Sequence, residues 1–180
     1  MALREVLQFP DKRLRVVSRP IEAVTDEIRS LAQDLCDVMY DEPGIGLAAP
    51  QVGEAVRLVV IDTEWTEEDA ERNPLILVNP VLSEHEGKIT WTEGCLSVPD
   101  FEAEVERAER VRLRAHDLDG AEIDILAEGL RAVCFQHEVD HLDGVLYIDR
   151  ISRLKRSRYE MRRKKQLRRE AEEAGAASPA

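Results

Sequence analysis

The chain has 180 residues, with 37 acidic and 25 basic side chains and a formal net charge of −12. That length suits a single domain able to bury about 70% of its unfolded surface, and no apolar run approaches the ~18–20 residues a membrane-crossing helix needs. Three scattered cysteines argue against a disulfide framework, and Met1-Ala-Leu-Arg-Glu5 does not read as a signal sequence. A monomeric cytoplasmic protein without membrane contact is therefore expected. The charge is unevenly spread. Residues 150–169 carry 11 Lys/Arg against one acid, Glu160, which leaves residues 1–149 at −19. Global acidity disfavours non-specific nucleic-acid binding by the body, but the basic segment is a separate case.

In chain order, Val24, Ile28, Leu31, Leu35 and Met39 recur at helical spacing. Thr25 is placed to cap that helix, and Pro43-Gly44 to stop it. Residues 57–62 and Leu75–Asn79 read as buried strands, the second ended by Pro80. The acidic stretch Thr63–Asn73 between them reads as a surface loop. Val111, Leu113 and Ala115 alternate with Arg112, Arg114 and His116 as a half-exposed strand. Asp119-Gly120 marks a turn towards Ile123 and Ile125. From Gly129 the period becomes helical again: Leu130, Val133, Cys134, His137 and His141 fall on one face, and Gly144 fits the C-terminal stop. A final basic helix over 152–169, capped by Ser152, carries a thin stripe of Ile151, Leu154 and Met161, and residues 170–180 read as a disordered tail. The fold expected is α+β: a single domain over 1–169, with short, mainly antiparallel strands packed around a central metal-binding helix and followed by a C-terminal helix.

The chemistry concentrates in His137-Glu-Val-Asp-His141. Residues four apart share a helix face, about 5–6 Å between Cβ atoms, so two imidazoles there can bind one metal ion. Glu138 can then reach a metal-bound water rather than the metal, the H-E-x-x-H arrangement of metal-dependent hydrolases. The third ligand is less obvious, since Tyr147 stands where one metalloprotease class has its third histidine. His85 and His116 sit in polar surroundings without helical spacing to the motif. Cys36 falls in the upstream amphipathic helix and reads as a buried thiol. Cys134 would lie about 10.5 Å along the helix from His141, too far for easy convergence on one ion. Cys95 is the better candidate, because Glu93-Gly94-Cys95-Leu96-Ser97-Val98-Pro99 reads as a bend or strand end.

Three segments together resemble the peptide deformylases. They are Gly44-Ile45-Gly46-Leu47-Ala48-Ala49-Pro50-Gln51, Glu93-Gly94-Cys95-Leu96-Ser97 and His137-Glu138-Val139-Asp140-His141. The resemblance covers roughly residues 3–165. It implies a hydrolase that removes the formyl group from the N-terminal formyl-methionine of nascent chains and releases formate. One Fe(II) per chain, replaceable by zinc, nickel or cobalt, would be held by Cys95, His137 and His141. A metal-bound hydroxide would attack the formyl carbon, with Glu138 as general base and then acid. The oxyanion donors implied are the Gln51 amide and the Leu96 backbone N–H. Ile45, Leu130, Val133 and Cys134 would line an apolar methionine pocket, and the backbone near Gly46 and Gly94 would pair with an extended peptide. Trp91 and Glu102 depart from the family's usual residues. In some bacterial members the C-terminal helix docks on the ribosome, a role open to the basic segment here. Two other classes are a zinc peptidase of the H-E-x-x-H type and a non-enzymatic ribosome-binding protein with a structural metal.

Overall fold

The computed structural model describes residues 3–65 and 71–176. Three α-helices, α1 (Asp26–Asp41), α2 (Gly129–Leu142) and α3 (Arg153–Ala176), combine with seven strands. The strands are β1 (Gly46–Ala48), β2 (Leu58–Ile61), β3 (Leu75–Glu86), β4 (Ile89–Cys95), β5 (Val98–Arg107), β6 (Arg110–His116) and β7 (Glu122–Glu128). They form a five-stranded antiparallel sheet in the order β1-β2-β3-β6-β7 and a separate β4-β5 hairpin. This is the α+β architecture expected. No helix among the described residues is long and apolar enough to cross a membrane.

The helices form for the reasons the periodicity predicts. α1 buries Leu31, Leu35, Val38 and Met39 against β1 and β2, and Asp26 and Glu27 sit at its positive end. The cap is weaker than anticipated, since Thr25 makes no side-chain cap hydrogen bond. α2 is buried on nearly every side, with Ala132, Cys134, Phe135 and Leu142 in the core that faces β2, β3 and β6. Gly144 ends it with φ +71°, where an added Cβ would lie 2.6 Å from the Arg15 carbonyl oxygen. Only glycine fits there.

One strand expectation needs correction. Pro80 does not end β3, which runs on to Glu86. Asn79 adopts φ +52° at a break in the β3–β6 register, and its side-chain amide exchanges two 2.8 Å hydrogen bonds with the Ile21 backbone. The bulge accommodates a residue that cannot donate to a ladder. Glu93–Pro99 is a strand end and bend, as read: β4 ends at Cys95 and β5 starts at Val98. It forms the turn of the β4–β5 hairpin, in which Ala103, Val105 and Arg107 alternate inward. His85 and His116 lie in β3 and β6. Of the expected loop Thr63–Asn73, residues 66–70 lie outside the described residues. Its ends are tied to Asp62, whose carboxylate accepts from the backbone N–H groups of Glu64, Trp65 and Asn73 and from the Tyr40 hydroxyl.

The C-terminal helix also differs from its reading. It is capped by Ser152, whose hydroxyl accepts from the Lys155 N–H, as foreseen. It continues to Ala176, past the expected end at 169, because Ala171, Glu172 and Glu173 favour helix; residues 177–180 lie outside the described residues. Of its thin aliphatic stripe, Leu154 and Met161 are exposed and Ile151 packs against the core. The helix docks through Tyr159, packed in a core with Val98, Val105 and Tyr147, and through buried Arg163, which donates to the Phe9 carbonyl and the Gln8 side chain.

Candidate active site

α2 forms the floor of a cleft of about 880 Å³, whose walls are the segment Glu42–Gly46 and the β4–β5 hairpin. All the residues anticipated from sequence are brought together there, apart from His141, which lies just beneath. Ile45, Gly46, Gln51, Gly94, Cys95, Leu96, Leu130, Val133, Cys134, His137 and Glu138 line the cleft. Trp91 and Glu102 line it too.

The ligand atoms of Cys95, His137 and His141 all lie within 4.8 Å of one another. His141 Nε2 is 3.2 Å from His137 Nε2 and 3.3 Å from Cys95 Sγ. Metal–ligand bonds of about 2.0–2.3 Å arranged tetrahedrally require ligand separations of roughly 3.3–3.6 Å, so the three residues fit a single ion. Cys134 stands apart, its thiol directed at the Ile45 carbonyl at 3.7 Å. Cys36 is buried in the α1 core, where desolvation pushes its thiol up to about 11.

The histidines are held in unlike states. Burial works against charge on His137, but hydrogen bonds to Cys95 and Glu93 raise its pKa well above the usual value. Burial, and then the neighbouring His137, lower that of His141 well below it. A neutral His141 suits ligation, and binding of a cation at His137 would release a proton. His137 Nδ1 lies 2.8 Å from Glu93 Oε2, which leaves Nε2 facing His141 and Cys95.

Sequence reasoning missed the group that anchors Glu93. Arg107 is buried, and its guanidinium donates to both Glu93 oxygens at 2.7 and 2.9 Å and to Asp140 at 2.6 Å. Burial would raise the Glu93 pKa, yet Arg107 and His137 bring it down to about 2. Arg150, outside the core, adds a second contact to Asp140. A signal was available: Arg107 continues the inward alternation of Ala103 and Val105, an unusual place for an unpaired cation. Tyr147 was also underused. Its ring stacks on His137 at 6.0 Å, and its hydroxyl donates to the Phe101 carbonyl at 2.6 Å.

Glu138 is buried beside the ligands, and desolvation raises its pKa to about 7. Its Oε2 has no hydrogen-bond partner within the protein. An added Cβ on Gly46 would stand 2.6 Å from Oε1, so this glycine is what lets the carboxyl lie against β1. Gln51 is oriented by its neighbours. The Ala48 N–H donates to Oε1 at 2.8 Å, which turns Nε2 towards Ser97 Oγ at 3.2 Å and Cys95 Sγ at 3.7 Å. Leu96 lies in the hairpin turn next to Cys95.

The family model for polypeptide deformylase matches residues 3–157. The chain belongs to the polypeptide deformylase family. Peptide deformylase from Nitrobacter hamburgensis is 52% identical over 161 residues, covering 88% of this chain and 92% of that protein. The crystal structure of a peptide deformylase from Legionella pneumophila superposes with a TM-score of 0.85 at 39% identity, covering 99% of this chain and 100% of that one. One from Synechococcus elongatus, crystallised in complex with actinonin, gives a TM-score of 0.82 at 38% identity over 89% of this chain and 87% of that one.

Removing Arg107 leaves Glu93 buried without its main counter-charge and Asp140 held by Arg150 alone. Arg107→Ala should therefore cost about 3–5 kcal/mol of stability in urea denaturation. Arg114→Ala, which breaks an exposed pair, should leave the midpoint nearly unchanged. Equal midpoints for the two variants would contradict the assignment of Arg107.

Proposed function

We propose that the protein is a metal-dependent hydrolase that removes the N-formyl group from formyl-methionyl chains and releases formate. One observation carries this reading: three converging ligand atoms at the floor of a cleft, with a buried carboxyl of near-neutral pKa beside them, in a chain of this family. A divalent cation held by Cys95, His137 and His141 would supply Lewis acidity, polarising the formyl carbonyl and acidifying water. Fe(II) is the ion we assign, since imidazole and thiolate suit it; zinc, nickel and cobalt are substitutes the same donors accept.

The remaining chemistry belongs to the chain. Glu138 takes the proton of the attacking water and delivers it to the leaving amine as the C–N bond breaks, leaving formate and a free N-terminus. A pKa near 7 suits both transfers at neutral pH. The Gln51 amide and the Leu96 backbone N–H donate to the oxygen that gains negative charge at the tetrahedral stage. The methionine side chain enters the apolar pocket of Ile45, Leu130, Val133 and Cys134. β1 is an edge strand of its sheet, so an extended peptide can add between it and β4, where Gly46 and Gly94 permit close backbone approach. A zinc peptidase would share the helix but would not need a crowded, thiolate-bearing floor. A closed structural metal site would need a fourth protein ligand, and the described residues offer only three in this cluster.

A reducing cytoplasmic location suits a thiolate ligand. α3 is a candidate ribosome contact, because eight of its Lys/Arg side chains are exposed. Replacing Lys164, Lys165, Arg168 and Arg169 by Gln should weaken salt-sensitive co-sedimentation with ribosomes and leave turnover of short peptides intact. Unchanged co-sedimentation would remove that role.

Two measurements test the catalytic reading. Formate should be released from formyl-Met-Ala while acetyl-Met-Ala stays nearly untouched; comparable turnover of both acyl groups would sink the assignment. Metal analysis of anaerobically purified variants should find one ion per chain in the parent, in Cys134→Ala and in Glu138→Ala, but none in Cys95→Ala. Glu138→Ala should nonetheless lose about 10²–10⁴-fold in turnover. A near-normal rate in that variant would exclude Glu138 as the proton carrier.

A further inference from the structure

The charge of the cleft bears on which formylated chains it prefers. Among the described residues that line it there is no Lys or Arg, whereas Glu42, Asp100 and Glu102 all face it. Asp100 is the least available of the three, since Arg162 lies beside it and donates to its backbone carbonyl at 2.6 Å. Glu42 and Glu102 are exposed, and neither is within ion-pair reach of a Lys or Arg among the described residues. The carboxylates of Glu93 and Glu138 are already committed, one to Arg107 and the other to the floor.

Glu102 has the more telling position. It stands one residue before Ala103, the register partner of Glu93, so it belongs to the hairpin segment that carries Gly94 and Cys95. A Cβ built on Gly94 would lie 3.5 Å from Glu102 Cγ and 3.8 Å from Oε1. The carboxylate therefore lies over the Gly94 backbone, where the peptide is proposed to pair. A chain whose formyl group is at Cys95 and whose methionine is in the apolar pocket must pass Gly94 with its next residues. Glu42 adds a second negative charge from the C-terminal end of α1, beside the Gly44–Gly46 segment.

We propose that Glu102, assisted by Glu42, makes the enzyme select formyl-methionyl chains that carry Lys or Arg at the first or second residue after methionine and reject those with Asp or Glu there. This inference rests on the deformylase reading and deepens it. Both carboxylates are solvated, so each pairing contributes modestly, and attraction to a cation and repulsion of an anion act in opposite directions on the same ratio.

The test uses the metal-loaded full chain and C-terminally amidated peptides formyl-Met-Xaa-Ala and formyl-Met-Ala-Xaa, with Xaa Lys, Gln or Glu. At low salt, kcat/KM should rank Lys above Gln above Glu, with about two- to fivefold at each step at the responsive position. The Lys/Glu ratio should shrink with added salt, fall in Glu102→Gln, and invert in Glu102→Arg. Ratios within one variant cancel any general loss of activity. Equal kcat/KM across Xaa with formate released from every peptide would overturn this inference alone. A preference that survives Glu102→Arg would overturn the assignment to Glu102. No formate from any peptide would overturn the deformylase reading itself.

Discussion

A guanidinium buried between the β4–β5 hairpin and α2 holds two acids from different elements: Glu93 from the hairpin and Asp140 from the helix. An uncompensated charge in that position would be costly, so the three groups have to fold together or not at all. Their geometry propagates outward. Glu93, fixed by both of its oxygens on Arg107, fixes His137 through Nδ1. The same hairpin carries Cys95 two residues further on. One buried ion cluster thus sets the distance between a thiol on one element and two imidazoles on another.

The helix could not supply this site alone. Three ligands spaced along one cylinder diverge, which is why Cys134, on the histidine face, turns to the Ile45 carbonyl instead. Bringing Cys95 from a separate hairpin solves the convergence but leaves the opposite wall open. That wall is closed by β1, which approaches α2 so tightly that Gly46 has no room for a side chain. The Glu138 carboxyl is desolvated by the same approach. Its raised pKa is a consequence of the packing that positions it.

What could be read from the sequence follows from how local each constraint is. The spacing of His137 and His141, the apolar period of α1 and the alternation in β6 are short-range patterns, and each appears in the structure where it was read. The β4–β5 hairpin was largely illegible, because its outward face is a run of Glu and Thr that reads as loop and its inward face includes an arginine. Pro80 misled for the opposite reason: a local rule was overridden by the distant Ile21 backbone, which stabilises the bulge. The partnership of Arg107 with Asp140 spans 33 residues and leaves no local trace.

The docking of α3 shows the same principle with a consequence for the site. Its aliphatic stripe is thin, yet Tyr159 stacks on Phe101 at 4.7 Å, Phe101 on Tyr147 at 6.3 Å, and Tyr147 on His137 at 6.0 Å. A continuous row of rings therefore runs from the C-terminal helix to a candidate metal ligand. Phe101 also adjoins Glu102 in the cleft wall. Cutting the chain after Ile151 would remove Tyr159 from a packed core and leave Phe101 without one of its two ring neighbours, a loss comparable to other large-to-small core changes. The basic charge of α3 beyond Arg163 is separable from the active site, but its first turns are part of the wall that shapes it.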